Sequence, residues 1–137
     1  MLRKNFWLLP LLLLLAAGLN AQEEGEASGA VRAIYIPLKP PFVVNYGGPG
    51  RLRYMKVEVS VRLANPGAAN SIRHHMPYIR NDLILLFSRQ NEETLDTVEG
   101  KEQLRQQAKA AVERILKEED DEDGLMDLYF NQLVLQK

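Results

Sequence analysis

The chain has 137 residues, of which 46% are hydrophobic and 26% are charged, and its formal net charge is −1. These values are ordinary for one folded domain with some length to spare for a terminal segment. A near-neutral chain lacks the basic excess that nucleic-acid binding requires, and a chain without cysteine has no disulfides, thiolate metal sites or cysteine nucleophiles.

The N-terminal segment has the layout of an export signal. Residues 1–21 contain the basic Arg3 and Lys4 near their start, continue with an apolar run and end at Ala21. The run is shorter than the roughly 20 residues of a membrane-spanning helix, which favours a cleaved signal peptide over a short uncleaved anchor. Residues 22–30 have the composition of a flexible leader, so we expect the folded domain to occupy residues 31–137.

The next segments predict strands of a small antiparallel sheet. Residues 34–45 contain two short apolar runs separated by Lys39-Pro40-Pro41, which indicates an edge strand or extended segment broken at the prolines. Residues 51–63 alternate strictly between apolar and polar side chains, so we predict a strand with one face on the core. The expected core side chains are Met55, Val57, Val59, Val61 and Leu63.

Residues 72–88 carry apolar side chains at steps of three and four, which predicts the central helix of the domain. We expect Asn70 or Ser71 to cap the N-terminus of this helix. Pro77 either kinks the helix or starts a second helix after a break near His75, and the sequence does not choose between these.

A short polar band, Arg80, Asn81 and Asp82, lies within this otherwise apolar helix. In the structural interpretation, Arg80 pairs with an acid such as Asp82, or with a backbone carbonyl, at the rim of the core. In the functional interpretation, the band lies at a contact between subunits.

The remaining sequence predicts a polar connection, a second long helix and a closing strand. Thr97 is the expected cap of that helix, with Arg105 on its solvent side. Six consecutive acids at residues 118–123 oppose the helix dipole, so we expect fraying there. Residues 125–136 are apolar on both faces, which is typical of a strand that is central or covered by a helix. We expect one face to hold Met126, Leu128, Phe130 and Val134.

No pattern in the chain indicates catalysis or a bound cofactor. Adjacent helical residues point about 100° apart, so His74 and His75 suit an exposed helix flank better than one metal site. Neither Ser71 nor Ser88 has the glycine-flanked elbow of a nucleophile, and residues 47–50 lack the Lys-Ser or Lys-Thr of a phosphate-binding loop. We therefore predict a protein that is not an enzyme, without cofactor or metal.

Five pieces of the sequence, in order, resemble the family of flagellar basal-body-associated proteins called FliL. They are Tyr35-x-x-Leu38 with Pro41-Phe42-Val43-Val44-Asn45, the strand of residues 51–63, Pro77 to Ser88, Thr97 to Arg105, and Tyr129 to Gln136. The motif positions that the resemblance carries, for which we expect structural or subunit-contact roles, are Phe42, Asn45, Arg80, Gly100, Phe130 and Gln136.

The resemblance implies an α+β fold, a small antiparallel sheet packed by two main helices, similar to stomatin/prohibitin (SPFH) domains. It further implies a periplasmic protein at the inner membrane, which assembles as a homo-oligomeric ring near the stator units of the flagellar basal body. The implied role is support of flagellar rotation, motility and chemotaxis.

Two alternatives remain open at this point. Family members usually carry a full transmembrane helix, whereas residues 1–21 favour cleavage, so direct membrane association is expected only if this segment is retained as a single-pass anchor. The alternative function is that of a general envelope scaffold of stomatin-like type, which is not tied to motility. A carrier of a small ligand or metal ranks third.

Overall fold

Strand β3 (Tyr54–Leu63) is the centre of a four-stranded antiparallel sheet in the computed structural model, which describes residues 32–137. Strands β1 (Ile34–Pro37) and β2 (Phe42–Asn45) pair with successive parts of one edge of β3. Strand β4 (Leu125–Gln136) pairs along its other edge. Helices pack on the sheet, so the predicted α+β class and small antiparallel sheet are confirmed. The predicted signal peptide (1–21) and leader (22–30) lie outside the described residues.

The alternating side chains of β3 form the core-facing side that the sequence predicts. Its five predicted core side chains are each no more than 2% exposed. The strand begins at Tyr54 and not at Arg51, because the preceding residues form a loop closed by a hydrogen bond from the Tyr46 N–H to the Arg53 carbonyl (3.1 Å). Gly47 in this loop has a φ of 91°, which favours glycine.

The predicted break at the prolines is present between β1 and β2. Pro40 and Pro41 have no N–H to donate to a sheet ladder. Between the two strands, Leu38 is buried and its N–H donates to the carbonyl of Val59 (2.8 Å), which holds the connection against β3. The two short strands therefore act as one interrupted edge.

The predicted central helix consists of two helices, α1 (Pro66–His74) and α2 (Met76–Ser88), which meet at His75. Of the two possibilities for Pro77, the break is correct, because Pro77 lies in the first turn of α2, where a missing N–H costs little. The prediction of Asn70 or Ser71 as the cap is wrong. Asn65 caps α1 and accepts a hydrogen bond from the Ala68 N–H (2.8 Å).

The polar connection after α2 contains a short helix, α3 (Glu92–Leu95), that the sequence analysis missed. Leu95 is the buried residue of this helix. Because one apolar residue produces no periodic pattern, the helix could not be predicted from periodicity. Helix α4 (Val98–Asp120) follows and is capped as predicted by Thr97, whose Oγ1 accepts from the Gly100 N–H (2.9 Å).

At its acidic end, where the sequence predicts fraying, α4 continues through Asp120, and a loop begins at Asp121. Basic side chains offset the acids there: Glu118 lies 3.3 Å from Arg114, and Lys117 lies 2.8 Å from Asp121. The helix ends at Asp121, which has a left-handed conformation with a φ of 52°.

The predicted closing strand is confirmed as β4, and of its two expected positions, central or covered by a helix, the structure shows the second. Within residues 32–137, β4 pairs only with β3, although α4 contacts it. The pairing register skips Met126 and Asn131, and each skip reverses which side chains face the core. Consequently Leu128 is buried, whereas Met126 and Val134, expected on the same face, are 42% and 44% exposed.

Helices cover one face of the sheet and leave the other exposed. Helices α1, α2 and α4 contact the strands, and the inward side chains of β3 lie beneath them. On the opposite face Tyr35 and Val43 are 60% and 64% exposed. No helix within residues 32–137 has the length and apolar character to cross a membrane.

Candidate functional site

Arg80 joins helix α2 to the interrupted edge of the sheet. Its guanidinium donates to the Leu38 carbonyl (3.2 Å), and its central carbon lies 4.1 Å from the centre of the Phe42 ring. Partial burial lowers the pKa of Arg80, but a guanidinium stays charged at neutral pH. The positive charge is therefore held against the aromatic face, a cation–π contact.

Three aromatic rings continue from Arg80 into the core. The Phe42 ring is buried and packs edge-to-face on Phe87, with the ring centres 5.5 Å apart. Phe87 packs in the same way on Phe130, at 5.8 Å. This geometry is the one that aromatic pairs prefer, and it links β2, α2 and β4. We call Arg80, Phe42, Phe87 and Phe130 the aromatic cluster.

The rest of the polar band has other partners. The prediction that Arg80 pairs with an acid or a carbonyl is resolved in favour of the carbonyl. Asp82 pairs instead with Arg114 of α4, so it ties the two long helices together. A hydrogen bond with Tyr78 raises the pKa of Arg114, and Asp82 and Glu118 add to this effect. Asn81 is exposed.

Gly100 lies where α3 and α4 approach most closely. It is buried in the first turn of α4, and a Cβ atom there would lie 1.8 Å from the carbonyl oxygen of Thr94. No side chain fits at that distance, so Gly100 is required for the tight turn between the two helices.

Asn45 and Gln136 flank Tyr54 in one row across the end of the sheet. Both are exposed. They lie on β2 and β4, next to the chain end. Lys137 is 2.9 Å from Glu92 in α3, so the end of β4 is held to the helical layer. Two of the six predicted motif positions are therefore surface residues away from the aromatic cluster.

An ionic cluster surrounds Arg105, for which periodicity predicts a position on the solvent side of α4. Its guanidinium bonds to Glu102 (2.8 Å), to the Asp127 carboxylate (2.8 Å) and to the Leu128 carbonyl (2.7 Å). The Arg105 bond lowers the pKa of Glu102 to about 2, and the Glu102 bond raises the pKa of Arg105. Burial opposes ionisation of Asp127, yet bonds from the Leu128 N–H and Arg105 lower its pKa. Periodicity alone could not show that β4 brings Asp127 to this helix.

A second missed cluster joins Ser71, His75 and Asp120. The buried Ser71 hydroxyl donates to the Asp120 carboxylate, and His75 Nε2 lies 3.0 Å from the same oxygen. The bond from Ser71, followed by that from His75, lowers the pKa of Asp120. The spacing of four residues between Ser71 and His75 is the one signal that the sequence contained.

The arrangement of this cluster differs from that of a hydrolytic triad. In a triad the imidazole lies between the serine and the acid, so that it can accept the serine proton. Here the carboxylate lies between the hydroxyl and the imidazole. The cluster therefore ties α1, the α1–α2 junction and the end of α4 together.

His74 packs edge-to-face on His75, with the ring centres 4.7 Å apart. His74 is exposed, as predicted, whereas His75 is half-buried against Asp120. Within residues 32–137, no three His, Asp or Glu side chains come close enough together to hold a metal ion. The histidine pair thus serves the helix junction.

Comparison with known families gives one match that spans almost all of the described structure. The family model "Flagellar basal body-associated protein FliL" matches residues 35–136, from β1 to the end of β4.

Individual relatives agree with this match. The chain is 29% identical over 103 residues to a flagellar protein FliL of Aquifex aeolicus, an alignment that covers 75% of this chain and 62% of the relative. The flagellar proteins FliL of Escherichia coli K12 and Shigella flexneri are each 29% identical over 94 residues, covering 69% of this chain and 60% of each relative. The chain thus spans about three fifths of the length of these relatives.

Proposed function

Because this chain belongs to the FliL family of flagellar basal-body-associated proteins, we propose that it assembles near the stator units and supports flagellar rotation and motility. The observation that carries this proposal is the family match over residues 35–136, which includes every strand and helix of the described domain. A match of this extent concerns the whole folded unit and not one shared motif.

We propose a non-enzymatic mode of action for the chain. The aromatic cluster, the Arg105 cluster and the Ser71–Asp120 contact each bond neighbouring elements to one another. Each of these polar groups is engaged in the packing of the fold. Function then depends on surfaces that contact other proteins. We propose that Phe42, Arg80, Gly100 and Phe130 maintain the fold, and that the exposed Asn45 and Gln136 are subunit-contact residues.

The location and assembly that we propose follow the same reasoning. Residues 31–137 form a periplasmic domain of SPFH-like type that builds a ring at the inner membrane, and residues 22–30 form a leader. Residues 1–21 are a signal peptide or, if uncleaved, a single-pass anchor. Support comes from the N-terminal sequence pattern and from the family's association with the basal body.

A deletion strain tests the proposal. Cells that lack the gene should swim more slowly, with a larger deficit in viscous medium, where the motor works against a higher load. A plasmid copy of the wild-type chain should restore swimming. Normal swimming of the deletion strain in both media would contradict the proposal and favour the general envelope scaffold instead.

A further inference from the structure

The outer edge of β4 is open in the described structure. Strand β4 pairs with β3 from Leu125 to Gln136, and no second strand within residues 32–137 pairs with it. About half of the backbone N–H and C=O groups of an edge strand therefore point away from the sheet without a partner strand. Such edges are normally protected by prolines, bulges or charges.

Several of these protections are present at the sheet edges but are absent from the last five residues of β4. The opposite sheet edge carries Pro37, Pro40 and Pro41. The first part of β4 carries the irregular positions Met126 and Asn131, with the charged Asp127 between them. By contrast, Gln132–Gln136 has no proline and no charge, and it pairs with Glu58–Tyr54 in a regular register.

The same five residues have side chains suited to a strand inside a sheet. Leu133 and Leu135 are half-buried against the core, and Val134 between them is 44% exposed on the uncovered face. Leucine and valine side chains also stabilise pairing with a neighbouring strand through cross-strand contacts. Since the fold leaves this strand at an edge, a further strand can pair with it.

The sequence of this segment identifies that strand. Gln132-Leu133-Val134-Leu135-Gln136 reads the same in both directions. In an antiparallel pair centred on Val134, each Gln132 would face Gln136 of the partner subunit, and each Leu133 would face Leu135 of the partner subunit. All facing pairs are therefore alike in size and polarity, and none brings like charges together. We propose that two copies of the chain pair through Gln132–Gln136 about a two-fold axis at Val134.

Charges nearby are compatible with this pairing. Lys56 of β3 lies beside Val134 in the sheet register. In the paired dimer, two Lys56 residues would be three strand spacings apart, about 14 Å, which exceeds the Debye length of about 8 Å at physiological salt. Lys137, next to the paired segment, lies 2.9 Å from Glu92 and 3.3 Å from Asp96.

This pairing goes beyond the proposed function. A ring closes through two different surfaces on each subunit, whereas a two-fold contact uses the same surface on both. The contact can therefore join copies in addition to a ring, and its failure would not affect the proposal of a flagellar role. A five-residue contact is small, so we expect weak and reversible association.

Sedimentation equilibrium of the purified full chain, as processed by the cell, tests the pairing with two matched variants. Val134→Lys places two like charges opposite each other at the axis and should raise the Kd of self-association by about tenfold or more. Val43→Lys introduces the same side chain on the same sheet face at the opposite edge, where Val43 is 64% exposed, and should leave the Kd unchanged. Equal Kd values for the two variants would overturn the proposal.

Cysteine crosslinking provides a second test, in which no charge is introduced to weaken the contact. The chain has no cysteine, so Val134→Cys and Val43→Cys each introduce a single thiol. Cβ atoms of directly facing residues lie about 5 Å apart, so a short bismaleimide should crosslink the Val134→Cys chain about tenfold faster than the Val43→Cys chain. Crosslinking at equal rates would overturn the proposal.

Discussion

At the scale of single residues, several side chains connect neighbouring elements of the fold. Arg80 illustrates the principle, because one guanidinium satisfies the carbonyl of Leu38 in the interrupted edge and lies on the Phe42 ring. The long, planar, permanently charged side chain of arginine is well suited to both contacts. The ring of Phe87 packs on Phe42 and on Phe130, so these contacts continue across the core to β4.

Replacement of Arg80 by glutamine should lower the free energy of unfolding by about 1–2 kcal/mol, because the cation–π contact is lost and the bond to Leu38 weakens. Urea unfolding monitored by circular dichroism measures the change. Arg73 in the exposed last turn of α1 provides the control, and Arg73→Gln should change stability by less than about 0.5 kcal/mol. Equal losses for the two variants would show that Arg80 has no special role.

Glu102 gives a prediction about pH at the same scale. Its pKa is about 2 in the folded chain, below the ordinary value of 4.5, because of the bond from Arg105. A carboxyl whose pKa is lower in the folded than in the unfolded chain stabilises the fold at pH values above its unfolded pKa. The contribution of Glu102 to stability is therefore complete above about pH 5 and is lost as the pH falls towards 2. The stability difference between wild type and Glu102→Gln should therefore shrink between pH 6 and about pH 2.5.

As a control, the same Glu102→Gln change is made in a chain that already carries Arg105→Gln. Without the guanidinium, the Glu102→Gln change should have little effect on stability at either pH. Urea midpoints of the four chains at both pH values form a double-mutant cycle. A pH-dependent difference that persists without Arg105 would contradict the assignment of the shift to this pair.

At the scale of elements, the strands were predictable from the sequence because alternation reports burial directly. The core face of β3 follows from its period-two pattern, and the bounds of β4 follow from a run of mostly apolar residues. The faces of β4 could not be predicted, because the residues that skip the register, Met126 and Asn131, reverse the faces without a sequence signal. Similarly, Arg105 meets Asp127 only after the chain has folded.

The start of α1 shows why helix boundaries were harder to predict. Asn65-Pro66-Gly67 is a turn signal after a strand, but it also supplies a cap and a proline at the first helical position. Periodicity favoured the later start at Asn70 or Ser71, because the first turn of α1 holds Gly67 and alanines and no large apolar side chain.

Two alanine substitutions distinguish the two candidate caps. Asn65→Ala should destabilise the chain by about 1 kcal/mol, because the Ala68 N–H loses its acceptor. Asn70→Ala, in the exposed middle of α1, should be neutral or stabilise by up to about 0.5 kcal/mol, because alanine has the higher helix propensity. Thermal unfolding of both variants measures the difference, and the reverse order of stabilities would contradict the observed start of α1.

At the scale of the whole molecule, the domain has one covered and one uncovered sheet face. The helical layer is bonded internally by pairs such as Asp82–Arg114, and it hides the inward side chains of β3. The uncovered face presents Tyr35, Val43 and Tyr54 to the surroundings. The proposed action through contact with neighbours is compatible with this uncovered face and with membership of a basal-body-associated family.

Crosslinking in living cells tests this account most directly. A photoreactive amino acid in place of Tyr35, which is 60% exposed on the uncovered face, or of Leu85, which is 48% exposed on α2, samples the two sides of the domain. We expect at least one position to give light-dependent products that contain stator proteins, identified by mass spectrometry, in cells that swim normally. If neither position yields a product with a stator or basal-body protein in swimming cells, assembly near the stator units is contradicted.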